Sequence, residues 1–159
     1  MNTFLTDKNR AVRRAARAFC EREIAPIAKQ IDQEASFPWE VADKMGRLGY
    51  FGIQAPKALG GAGLDTVSYV LIIEEISRAS GGLGLCVTVH NSVAVAPLLP
   101  FGTEAQKQRW IPPLARGEKI GAFCLTEPNA GSDASGIEAT ALKDGDHYCV
   151  NAGKVLVTN

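Results

Sequence analysis

The chain lacks most of the devices by which a sequence announces its function. Seventeen Lys and Arg balance seventeen Asp and Glu, so no net field draws it to nucleic acid or to an anionic membrane. Its four cysteines, Cys20, Cys86, Cys124 and Cys149, are widely spaced, with no C-x-x-C pair to bind zinc or form a redox dithiol. No metal site is expected. Three of the four sit among apolar neighbours and read as reduced, buried thiols of a cytoplasmic-type compartment. Phosphate-binding fingerprints are missing too. Gly82-Leu83-Gly84-Leu85-Cys86-Val87 approaches a dinucleotide motif, but it lacks the third small residue and follows a helix, which excludes a Rossmann site. Neither Gly117-Glu118-Lys119 nor Gly153-Lys154 makes a P-loop.

Charge itself is absent from residues 79–103, a run long enough to span a bilayer. Thr88, His90, Asn91 and Ser92 stand at its centre and Pro97 and Pro100 interrupt it, so a buried helix of a larger protein is expected and no membrane span. Acidic residues do interrupt the Arg-rich start: Asp7, Glu21 and Glu23 alternate with Arg10, Arg13, Arg14 and Arg17, unlike a transit peptide. Val12, Ala16, Phe19, Ile27 and Ile31 recur near helical spacing, with the charges on the other face. With 46% apolar and 21% charged residues, the 159-residue chain has a globular composition and room for one domain of ordinary size.

The pattern gives helices first and strands last. Thr6-Asp7 caps a helix to about Ile31, with Pro26 a kink or break. Pro38 opens a second helix that ends at Gly46 or Gly49. A Gly-rich loop covers 56–63. Asp65-Thr66 caps a third helix, closed by Gly81-Gly82. The uncharged helix follows, then a short helix from Thr103 to Ala115 with Gln106 in capping-box position. From Ile120 the period changes. Residues 120–124 read as a buried strand, 139–142 and 147–150 as strands joined by the Asp144-Gly145 hairpin signal, and 153–157 as a further strand. Segregated helices and strands predict an α+β protein: an N-terminal all-α helical domain, 1–119, followed by the beginning of a mainly antiparallel β-domain, 120–159.

The string Leu125-Thr126-Glu127-Pro128-Asn129-Ala130-Gly131-Ser132-Asp133 is the most informative stretch. It gathers five hydroxyl, carboxylate or amide side chains around a proline and a glycine. On composition it is a surface turn, since Pro, Asn, Gly, Ser and Asp all form turns. A loop opening from a strand also exposes N–H groups and hydroxyls able to hold a polar cofactor. This string, with Phe101-Gly102-Thr103-Glu104 and Gln106-Lys107 upstream, Glu74-Glu75-Ile76-Ser77-Arg78, and Val155-Leu156-Val157-Thr158-Asn159 at the end, resembles the acyl-CoA dehydrogenase family over nearly the whole chain.

The resemblance implies an FAD enzyme that oxidises acyl-CoA thioesters to 2-enoyl-CoA, this chain supplying the helical domain and the first part of the middle β-domain, with the C-terminal helical domain absent. It implies that Phe123, Cys124, Leu125 and Thr126 lie along the flavin, with Leu156, Val157 and Thr158 at its reactive edge. Gly131 and Ser132 would meet the FAD pyrophosphate and the pantetheine arm of the substrate. Hydrogen-bond donors of this kind stabilise negative charge arriving on the ring. No catalytic residue is assigned, because the family's glutamate base belongs to the C-terminal helical domain. Glu127 and Asp133 read as loop-ordering carboxylates and His90 as a satisfied core histidine or pocket wall. The family usually carries an aromatic residue where Leu156 stands, and Gly where Asn129 stands. Electron-transferring flavoprotein as acceptor, a homo-oligomer and a cytoplasmic or mitochondrial-matrix location follow from the same resemblance. An acyl-CoA oxidase on the same scaffold and a non-catalytic interaction fragment are the alternatives.

Overall fold

The computed structural model describes residues 4–159. Two compact units emerge, one running up to Gly121 and including Asn159, the other comprising Ala122–Thr158. The first is helical. Its α1, Asp7–Phe19, begins on a capping box in which the Thr6 hydroxyl accepts from the Asn9 N–H at 3.1 Å and the Asn9 side chain accepts from the Thr6 N–H at 3.1 Å. The helix widens into a π-helical turn over Cys20–Ile24, and α2, Ala28–Glu34, follows after Pro26. The predicted single helix is therefore divided by a π-turn and a proline together.

Pro38 precedes α3, Trp39–Arg47, and Gly49 turns the chain at φ +77°. Asp65 caps α4, Thr66–Ala79, by accepting the Ser68 N–H at 2.8 Å. The next boundary differs from the sequence reading. Gly81-Gly82 do not close α4; Ser80 ends it and caps α5, Gly81–Val89, so the glycines start a helix. A serine hydroxyl that accepts from the Leu83 N–H outweighs the glycines' poor helix propensity. A second π-turn, His90–Val95, leads to α6, Leu98–Phe101, and then to α7, Glu104–Ala115, whose Thr103–Gln106 capping box is in place.

The core forms around Phe51, Ile24, Met45, Ile53, Ile72 and Ile76, all essentially inaccessible to solvent. Truncating any of these to alanine is expected to cost about 2–5 kcal/mol. Among the described residues, Gly81–Phe101 is the one helical stretch long and apolar enough to cross a membrane. Here it packs on α4 and buries Leu83, Cys86, Val87 and Val95. Its buried Asn91 accepts the Ile53 N–H at 3.1 Å and donates to the Tyr50 and Val87 carbonyls at 2.9 Å each. That amide supplies the bonds that the loop after α3 cannot make for itself.

The arginines of α1 do not all lie on its solvent face, as the periodicity alone implied. Arg13 and Arg17 reach across to Glu75 of α4, which is fully buried, at 2.9 Å and 2.8 Å, and Arg78 joins them at 3.2 Å. Burial works to raise the Glu75 pKa, but hydrogen bonds and charge from Arg17, Arg13 and Arg78 outweigh it and bring it down to about 2.

In the second unit, β1, Thr140–Asp144, pairs antiparallel with β2, His147–Asn151, from Thr140↔Asn151 to Asp144↔His147. The two-residue loop is Gly145-Asp146, with Gly145 at φ +57°, one residue later than the Asp-Gly signal predicted. Residues 120–124 and 153–157 are not strands. The Val155 N–H does donate to the Thr126 carbonyl at 2.9 Å, but one bond is too few for a ladder. Both faces of the hairpin are exposed, so Cys149 on β2, and Cys124 before the loop, are exposed free thiols; only Cys20 and Cys86 are buried as expected.

Candidate functional site

The loop that carries the motif is built from the backbone outward. Glu127 and Ala130 exchange both of their N–H···O bonds, at 3.0 Å and 3.1 Å, which closes Pro128-Asn129 into a tight turn. Proline presets the backbone dihedral such a turn needs. The Glu127 side chain faces inward, 6% exposed. It accepts the N–H groups of Glu138 at 2.7 Å and Ala139 at 3.0 Å, and pairs with Lys154 Nζ at 2.8 Å. The Lys154 hydrogen bond, with the two N–H groups, holds the Glu127 pKa below the ordinary carboxylate range. Lys154 also donates to the Leu125 carbonyl at 2.8 Å.

These bonds tie residues 125–127 alongside 154–155, so Leu125 and Thr126 are brought beside the segment that runs on to Leu156, Val157 and Thr158. Asp133 orders the far end of the loop by accepting the Ser135 N–H at 3.0 Å. Both acids therefore order the loop, as read from the sequence. Lys154, the cation that makes Glu127 tolerable in a buried position, was missed; its only signal was a lone lysine between Gly153 and an apolar run.

Along this frame the expected cofactor-facing residues stand open. Phe123 and Leu125 are 47% and 39% exposed, Cys124 is exposed, and Leu156 is 91% exposed in left-handed backbone at φ +56°. That conformation is uncommon for a residue other than glycine. Gly131 and Ser132 lie on the exposed turn after Ala130, and a Cβ placed on Gly131 would meet nothing within 4 Å. Among the described residues the hydroxyls of Thr126, Ser132 and Thr158 have no hydrogen-bond partner, and the first and last of these are half-buried. The three hydroxyls and the exposed apolar side chains thus lie along the same two segments, 123–132 and 156–158. Among the described residues no cluster of His, Cys, Asp or Glu could hold a metal ion.

A separate polar feature lies in the helical unit. His90, at the start of the second π-turn, is fully buried with its ring edge-on to Phe51 at 5.0 Å. Its Nδ1 accepts the Gly121 N–H at 2.9 Å, while Nε2 has no hydrogen-bond partner. It is a core histidine as expected, though not a satisfied one. Burial pushes its pKa down to about 4, against the weaker pull of the Phe51 and Leu114 carbonyls. Since Nδ1 accepts, the neutral ring carries its proton on Nε2, and leaving that donor unpaired costs about 1–3 kcal/mol.

The family model described as acyl-CoA dehydrogenase, N-terminal domain, matches residues 6–118. The 3-(aryl)acrylate reductase of Clostridium sporogenes is 48% identical over 155 residues, covering 98% of this chain and 41% of the relative. The short-chain specific acyl-CoA dehydrogenase of Clostridium acetobutylicum is 44% identical over 159 residues, covering 100% of this chain and 42% of the relative. An acyl-CoA dehydrogenase from Bacillus anthracis, solved in complex with FAD, superposes with a TM-score of 0.91 at 34% identity, covering 100% of this chain and 28% of that one. The chain thus spans about two fifths of the length of the two relatives named. The family model across the helical unit and the relatives matched along the whole chain agree: the chain belongs to the acyl-CoA dehydrogenases.

Proposed function

We propose that this chain forms the FAD- and substrate-binding N-terminal part of an enzyme that oxidises an acyl-CoA thioester to the 2-enoyl-CoA. The observation that carries the reading is the set of unpartnered hydroxyls: Thr126 and Ser132 on the loop that Glu127 orders, and Thr158 on the segment that follows Lys154. Phe123, Cys124, Leu125 and Thr126, with Leu156, Val157 and Thr158, would hold the flavin ring, and Gly131 and Ser132 the pyrophosphate and the pantetheine arm. FAD, when bound, supplies the two-electron acceptor that Cα–Cβ dehydrogenation needs. The chain's own residues bind and orient. Thr126 and Thr158 donate hydrogen bonds toward developing negative charge, and the apolar side chains of Leu125 and Val157 exclude water.

Removal of the α-proton requires a carboxylate base. Glu127 cannot serve, because its oxygens are already committed to two N–H groups and an ammonium. As in the family, we place the base in the C-terminal helical domain, with electron-transferring flavoprotein as acceptor and a homo-oligomeric assembly. Reduction of a 2-enoyl thioester on the same couple is a second reading, favoured by the 48% identity to a 3-(aryl)acrylate reductase.

The test uses a chimera in which this chain is joined to the remaining sequence of the Clostridium acetobutylicum relative. Thr126→Val and Thr158→Val should each slow flavin reduction by acyl-CoA by about a hundredfold, the loss of one preorganised donor. Ser132→Ala should weaken binding and leave the reduction step nearly unchanged. Parental reduction rates in both threonine variants would remove the assignment.

A further inference from the structure

The Gly121 peptide, where the chain passes from the helical unit into the cofactor-facing segment, is held on both of its polar atoms. Its N–H donates to His90 Nδ1 at 2.9 Å, and its carbonyl accepts from Asn159 Nδ2 at 3.1 Å. Asn159 Nδ2 also donates to the Cys86 carbonyl at 3.1 Å, so the amide bridges α5 and the Gly121 peptide. The fit is close as well as polar. A Cβ on Gly121 would lie 2.4 Å from the Ala94 Cβ, so the backbone is pressed flush against the π-turn. π-turns recur at functional sites, where the extra residue re-aims a side chain, and here the turn begins at His90.

As filling for an apolar core His90 is a poor choice, since its Nε2 is left without a partner in a site that Leu would fill with no polar atom to satisfy. Its one accomplished bond is the one to Gly121. The low pKa keeps the ring neutral, and so keeps Nδ1 an acceptor, throughout the neutral range.

We propose that His90 is a positioning residue: together with Asn159 it fixes the Gly121 peptide at the end of the helical unit, ahead of the segment that carries Phe123, Leu125 and Thr126. Its bearing on the cofactor rests on the flavin reading given above. The clamp itself does not.

Shape decides the test. Asparagine carries its amide oxygen where histidine carries Nδ1, whereas leucine fills the volume and offers no acceptor. Amide hydrogen exchange is followed by NMR in the 159-residue chain and in its His90→Asn and His90→Leu variants. His90→Leu should speed exchange at Gly121 by about tenfold, the loss of one hydrogen bond, while core amides on α4 hold their rates. His90→Asn should restore Gly121 protection to near the parental level. A core-filling role predicts the reverse order, with Leu at least as protective as Asn, and that result overturns the proposal. So does an unchanged Gly121 exchange rate in His90→Leu. A parallel FAD titration of the chimera keeps the two readings apart: absence of flavin binding there refutes the cofactor reading and leaves the exchange result to decide the clamp.

Discussion

Glu75 offers the sharpest energetic test of the helical unit. Its carboxylate is fully buried, yet three arginines hold its pKa near 2 in the folded chain, against 4.5 ordinarily. Each tenfold difference in proton affinity is worth roughly 1.4 kcal/mol, so the ionised clamp contributes about 3 kcal/mol of stability above pH 4.5. As the pH falls below 4.5 the unfolded chain takes up the proton first. The contribution drains away until the folded pKa is passed. At pH 3 about 2 kcal/mol of it is gone. Glu75→Gln should lose about 3 kcal/mol at pH 7, because the arginines then surround an uncharged amide. It should also lose the Glu75 part of the acid sensitivity. Urea unfolding of both proteins at pH 7 and pH 3 gives the four free energies. The parent should fall by about 2 kcal/mol more than the variant on acidification. An equal fall in both would refute the clamp as an ionised buried group.

His90 titrates in a higher window: folded near 4 and unfolded near 6.5, it should cost the chain about 3 kcal/mol of stability as the pH falls from 6.5 to 4. His90→Leu should flatten that stretch of the urea-derived profile. Asn91→Leu leaves the Ile53 N–H and the Tyr50 and Val87 carbonyls without that partner, and should destabilise the helical unit by about 2–4 kcal/mol in the same assay. Gly131→Ala meets open space, so thermal stability should change by less than about 0.5 kcal/mol. FAD affinity of the chimera should nevertheless drop, as dialysis would reveal. The 159 residues alone, with Leu156 and Phe123 exposed, should bind FAD far more weakly than the chimera in equilibrium dialysis.

What the sequence disclosed was mostly local. Thr6, Asp65 and Thr103 each accept an N–H from the first turn of a helix, a geometry settled within four residues, and all three caps were legible. Ser80 was not. It serves two helices at once, and the glycines beside it carried the louder stop signal. The hairpin was visible but shifted by one residue, because Asp-Gly and Gly-Asp both make two-residue turns. The strand readings at 120–124 and 153–157 failed because a strand is defined by its neighbour, and the single backbone bond from Val155 goes to Thr126, outside 120–124. At the candidate site, the roles of Glu127 and Asp133 followed from the loop's composition. The partners that come from far along the chain did not: Lys154 for Glu127, Gly121 for His90, and the arginines of α1 for Glu75. Sequence spacing holds no record of such pairs.

The central claim, that this chain holds a flavin for acyl-CoA oxidation, is tested most directly by one anaerobic experiment on the chimera. After gel filtration the protein should keep the absorbance of oxidised flavin, and a saturated acyl-CoA should bleach that band within the mixing experiment. A protein that elutes without flavin, or a flavin band that persists across a series of acyl-CoA chain lengths, would contradict it.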